Sequence, residues 1–138
     1  MGSHPFVDLL QAGIYNNFMA EKTALSTLEY AHIAVNFASD NLASDVLMLD
    51  MQEVSDFCDY FIIISTDSSR QLSSLAEDLE HELERKGSLR HHREGTPQSG
   101  WMLLDFGDVI IHIFGPDMRE FYDLESAWDK ATEVVRIL

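Results

Sequence analysis

At 138 residues the chain is long enough to form one domain with a real hydrophobic core. Its 24 Asp and Glu against 9 Lys and Arg leave a formal net charge of −15. Such a surface disfavours nucleic-acid phosphates and anionic membranes and draws in basic partners, although plain solubility is the simpler reading. The single cysteine, Cys58, excludes an internal disulfide and fits a reducing compartment.

No apolar run approaches the roughly 18 residues of a membrane span. In Met1–Phe18, Asp8 and Gln11 interrupt the apolar residues and no Lys or Arg precedes Lys22, so neither a secretory signal nor an organelle transit peptide is expected. The cytoplasm is the default location. MGSH at the start has the look of an expression scar, and Met19 is a sensible alternative start. Residues 1–18 are read as an extension of unknown order, and 19–138 as a single domain.

From Ala24 onward, apolar residues at 24, 28, 31, 35 and 38 recur in steps of four and three, predicting a helix that ends near Asn41. Asp45–Met51 follows as a strand. After a loop, Tyr60–Ile64 supplies five consecutive apolar residues, the mark of a strand buried on both faces and therefore central in its sheet. Cys58, between Phe57 and Tyr60, reads as a small buried hydrophobe rather than a nucleophile.

Ser68 and Gln71 predict a capping box opening the next helix. Leu72, Leu75, Ala76, Leu79 and Leu83 form its buried stripe, and Gly87 ends it. Glu77, Asp78, Glu80, Glu82 and Glu84 form its solvated face. Leu89–Gly95 is a candidate short strand leading into a loop over Gly95–Gly100. From Pro116 a final helix is expected, with Phe121, Leu124, Trp128, Ala131, Val135 and Leu138 as its apolar stripe.

Between loop and final helix lies Trp101–Gly115, which reads as a hairpin turning at Gly107-Asp108, with glycine where a type II′ turn needs it. The register then pairs Met102 with Ile113, Leu104 with Ile111 and Phe106 with Val109 on an apolar side. Trp101 with Phe114, Leu103 with His112 and Asp105 with Ile110 make the other side. Two readings fit this mixed face: a protein-binding surface, or a face covered by a helix that satisfies its polar groups.

The chemistry of an enzyme is absent. No Gly-rich phosphate loop follows a strand, and no H-E-x-x-H occurs. His91 and His92 are adjacent, so in a strand they point to opposite faces. There is no D-x-D to hold a metal pair for nucleotidyl transfer. The serines at 65, 68, 69, 73 and 74 sit beside no obvious His base.

In order, DVLMLD (45–50), DYFIII (59–64), SSRQ (68–71), Glu94-Gly95, WMLLDFGDVIIHIF (101–114) and REFYDLESAW (119–128) resemble the ribosomal silencing factor, or Iojap-related, family. The resemblance covers roughly Ala24 to Trp128. Ser65-Thr66-Asp67 lacks the glycine usual after the second strand, and the extension before Met19 has no counterpart. The resemblance implies an α/β fold, a mixed sheet flanked by helices, similar to nucleotidyltransferase domains without their active site. It also implies a non-enzymatic translation factor, without cofactor or metal. Such a factor binds the large ribosomal subunit through a basic protein at the intersubunit face, number fourteen of its series. There it blocks small-subunit joining when nutrients are scarce.

Trp101 is the expected anchor and Asp105 an acidic contact, with Leu103 and His112 on the same face. The matching motifs add Glu94, Arg119, Tyr122 and Asp123, although Arg119 and Asp123 are also spaced to bridge along a helix. No sequence-specific nucleic-acid or membrane contact is expected. Alternatives are a large-subunit assembly factor, a degenerate nucleotidyltransferase that still binds a nucleotide, and a homodimer using the mixed face.

Overall fold

A computed structural model describes residues 25–88 and 92–138. The expectations for residues 1–18, for Ala24 and for Leu89 to His91 fall outside this description. In chain order the elements are α1 (Thr27–Asp40), β1 (Ser44–Asp50), β2 (Tyr60–Ser65), α2 (Ser69–Arg85) and β3 (His92–Thr96). A 3-10 turn (Pro97–Ser99) leads to β4 (Trp101–Asp105) and β5 (Val109–Phe114). Then come α3 (Met118–Tyr122), α4 (Leu124–Ala127) and β6 (Thr132–Ile137). The six strands form one mixed sheet in the order β3-β4-β5-β2-β1-β6. Only β2 and β5 run parallel. The chain is thus α/β, as expected.

Strand alternation divides the apolar residues between two faces. Val46, Met48, Tyr60, Ile62, Ile64, Met102, Leu104, Ile111 and Ile113 face α1 and α2 and form the main core. Leu47, Leu49, Phe61, Ile63, Ile110 and Phe114 face the other way. There they meet Met51 and Cys58 from the β1–β2 loop and Met118, Leu124 and Trp128 from the C-terminal segment. β2 is buried from Tyr60 to Ile64 and central, as its unbroken apolar run requires. Burial also raises the Cys58 thiol pKa to about 11, which suits an inert core residue.

The expected hairpin register forms, with Trp101 opposite Phe114, Leu103 opposite His112 and Asp105 opposite Ile110. Gly107 lies at φ 89° and Asp108 at negative φ, as a type II′ turn requires. The α2 stripe is buried as read, and Gly87 at φ 101° closes the helix. The N–H groups of Gly87 and Ser88 donate to the carbonyls of Glu84 and Leu83, the Schellman pattern.

Four expectations need correction. The C-terminal segment is not one helix. Asp123, at φ 48°, breaks it after α3, and residues 132–137 pair with β1. Four of those six residues are β-branched, favouring a strand, and β6 closes what would be an open edge of β1. The supposed stripe ends Phe121 and Leu138 are 74% and 91% exposed.

The capping box at α2 forms by half. Ser68 accepts the Gln71 N–H, but the Gln71 side chain accepts from Asp67 N–H and donates to the Leu42 carbonyl. A full box caps α1 instead, between Ser26 and Glu29. Glu80, placed on the solvated face of α2, is buried and lies 3.4 Å from the Arg93 guanidinium. Leu28, in the first turn of α1, is 41% exposed, and Ala34 takes its place in the buried face.

Candidate functional site

The mixed side of the hairpin is half covered, which lies between the two simple readings of the face. Two glycines set its entrance. A Cβ on Gly95, at φ 85°, would lie 2.1 Å from the Trp101 carbonyl oxygen, so β3 approaches the start of β4 this closely only with glycine. A Cβ on Gly100, at φ 77°, would meet the Met118 side chain at 2.5 Å, so α3 packs directly over the turn into β4.

Between these elements Trp101 is held on several sides. Its ring stacks on Phe114 with centroids 5.3 Å apart and planes at 27°. Tyr122 of α3 lies 4.5 Å from it, and Phe121 stands edge-on to Tyr122 at 5.1 Å. The indole N–H donates to His112 Nδ1 at 3.2 Å. Trp101, Leu103 and Tyr122, with Glu94, Gly95 and Ser99, line a groove of about 310 Å³. Its walls are aromatic and aliphatic, and its one carboxylate is Glu94.

His112 is buried beneath the groove, 4% exposed, with the Phe61 ring 4.6 Å away. Burial disfavours the imidazolium and lowers its pKa to about 4, so the ring is neutral at neutral pH. Asp105 stands at the far end of β4, where its Oδ1 accepts the Gly107 N–H at 2.8 Å. It is half-buried, and that bond ties it to the turn as well as to the mixed face.

Arg119 and Asp123 are not in the groove. A β-bulge at Asp45, with φ 45°, turns that residue toward the C-terminal segment. The Arg119 guanidinium donates to the Asp45 carbonyl, to Ser65 Oγ at 3.0 Å and to both Glu125 carboxylate oxygens at 3.3 Å. Arg136 of β6 pairs bidentately with the Asp45 carboxylate at 2.9 Å, which also lies 3.6 Å from the Arg119 guanidinium. The Arg119 side chain is only 11% exposed. Its partners are Asp45 and Glu125 rather than Asp123, so the spacing along the helix does not make the bridge. Asp123 instead occupies the left-handed junction between α3 and α4.

This network clasps the C-terminal segment to β1 and so holds Tyr122 against Trp101. A second, polar hollow of about 510 Å³ lies beside it, lined by Asp45, Asp67, Asp117, Glu120, Asp123 and Glu125 around Arg119. Among the described residues no group of three or more His, Cys, Asp or Glu is placed to hold a metal ion. No helix among the described residues is long and apolar enough to cross a membrane.

Of the eight expected site residues, Glu94, Trp101, Leu103 and Tyr122 meet in one groove, with His112 directly under Trp101. Sequence reading missed Phe121, which extends the exposed aromatic surface, and Asp45, Glu125 and Arg136, which position α3. It assigned Phe121 to a buried stripe. The Asp45–Arg119 contact spans 74 residues and leaves no local pattern.

Residues 24–137 match the family model described as ribosomal silencing factor during starvation. A ribosomal silencing factor of Halalkalibacterium halodurans is 34% identical over 110 residues, covering 80% of this chain and 94% of the relative. One from Bacillus subtilis is 35% identical over 99 residues, covering 72% and 84% respectively. A crystal structure of a protein from Chromobacterium violaceum superposes with a TM-score of 0.73 at 28% identity, over 76% of this chain and 88% of that one.

Proposed function

The chain belongs to the ribosomal silencing factor family, and from that premise we propose that it docks on the large ribosomal subunit through the Trp101 groove. Its contact there is a basic protein of the intersubunit face, number fourteen of the large-subunit series. The bound domain occupies volume that the small subunit needs, and translation falls under nutrient limitation. The action is steric and requires no catalysis, and it takes place in the cytoplasm.

One observation carries this reading: an aromatic groove, centred on a half-buried tryptophan and walled by the Glu94 carboxylate, opens on a chain of net charge −15. Tryptophan and tyrosine in a partly desolvated pocket are the residues that dominate protein interfaces. Glu94 on the groove wall and Asp105 at the hairpin supply negative charge for a basic surface. The same net charge disfavours contact with ribosomal RNA, which directs the contact to protein.

Co-sedimentation with separated ribosomal subunits tests the proposal. The protein should migrate with the large subunit and not the small one, and Trp101→Ala should lose that association while retaining its circular-dichroism spectrum. Equal migration with both subunits, or retained binding by folded Trp101→Ala, would contradict it.

A further inference from the structure

We propose that His112 is a positioning residue for Trp101: its buried Nδ1 accepts the indole N–H and fixes the face of the indole offered to the groove. The inference rests on the docking role of Trp101 and adds the device that orients it.

The geometry is specific. The indole Nε1 lies 3.2 Å from His112 Nδ1, and His112 is 4% exposed. Because Nδ1 accepts, the proton of the neutral ring sits on Nε2. That Nε2 is buried and has no hydrogen-bond partner among the described residues. A leucine or phenylalanine at this position would match its neighbours Phe61, Ile110 and Phe114 and bury no unpartnered Nε2, losing only the acceptor that Trp101 uses. Packing alone therefore gives no reason for an imidazole here. Among the described residues the ring's one hydrogen bond is to Trp101.

What the bond does follows from where Trp101 sits. A half-buried tryptophan can satisfy its N–H with water by turning the indole, and the ring contacts with Phe114 and Tyr122 set no direction for the N–H. An acceptor on the buried side commits Nε1 inward. The carbon framework of the indole is then what lines the groove beside Leu103 and Tyr122. A pre-oriented anchor loses less freedom on binding.

The test has two readouts. In a Trp128→Phe background Trp101 is the sole tryptophan, since the chain has two, and its emission reports its surroundings in the free protein. His112→Leu should shift that emission to longer wavelength in a folded protein. His112→Asn places an amide oxygen near the Nδ1 position and should stay close to the parent.

For binding, purified large subunits are titrated with the wild-type protein, His112→Leu, His112→Asn, Trp101→Phe and the Leu/Phe double variant. His112→Leu and Trp101→Phe should each weaken binding about tenfold, His112→Asn about threefold or less, and the double variant no more than Trp101→Phe alone. Unchanged emission and affinity in His112→Leu, or fully additive losses in the double variant, would overturn the proposal. If His112→Leu does not fold, His112→Phe retains a planar ring without the acceptor and takes its place. Failure of the wild-type protein to bind large subunits would sink the docking role, while the emission readout would still decide whether His112 orients Trp101.

Discussion

The buried imidazole makes the stability of this fold depend on pH in a window that can be calculated. His112 has a pKa of about 4 in the folded chain against an ordinary value of 6.5. Between these values the unfolded chain binds a proton that the folded chain does not, so stability is level above about pH 7.5 and falls as pH drops through 6.5 toward 4. Linkage gives a loss of about 0.8 kcal/mol at pH 6 and about 2 kcal/mol at pH 5, relative to pH 7.5. A chain of net charge −15 also gains some stability on acidification as carboxylates take up protons, so the raw slope mixes two effects. Urea unfolding of wild type and His112→Asn at pH 7.5, 6 and 5 separates them, because the carboxylates are common to both. The wild type should lose about 2 kcal/mol more than the variant between pH 7.5 and 5. Parallel pH profiles would refute the burial of a neutral imidazole beneath Trp101.

Other outcomes follow from single residues. Gly95→Ala combines a φ of 85° with a Cβ 2.1 Å from the Trp101 carbonyl, so it should cost roughly 2 kcal/mol or more and speed amide exchange in β3 and β4. Wild-type exchange rates in that variant would show that the β3 entrance is looser than described. Arg119→Ala removes one of the two guanidiniums that Asp45 and Glu125 share, leaving Arg136, and frees α3, which should cost about 1–2 kcal/mol in thermal or urea unfolding and weaken large-subunit binding through Tyr122. An unchanged melting temperature would remove the clasp from the account. Cys58, 4% exposed and with a thiol pKa near 11, should resist a thiol reagent at pH 8 until the protein is unfolded. Rapid labelling of the native protein would contradict its burial.

The readable parts of the fold were those with local causes. Trp101–Phe114 shows its register because alternating side chains and a Gly-Asp turn allow only one pairing that keeps Met102, Leu104, Ile111 and Ile113 together. β2 shows its central place by a run of apolar residues too long for a half-exposed strand. The C-terminal segment misled because steps of three and four occur there by chance. Its true signal was the β-branched residues of 132–137, while the left-handed conformation of Asp123 that ends α3 has no marker in the local sequence.

The site divides along the same line. Trp101, Leu103 and His112 share a face by strand periodicity alone, while Glu94 joins them because β3 pairs with β4. The burial of Glu80 against Arg93 and the capture of Arg119 by Asp45 depend on contacts distant in sequence, and no local pattern announces them.

The central claim is that occupation of the large subunit through the Trp101 groove prevents subunit joining. It is tested most directly by light scattering during association of purified large and small subunits, with increasing amounts of wild-type protein or Trp101→Ala. Wild-type protein should lower the extent of joining in proportion to its occupancy of the large subunit, and folded Trp101→Ala should leave joining unchanged at the same concentrations. Full joining in the presence of large subunits saturated with wild-type protein would contradict it.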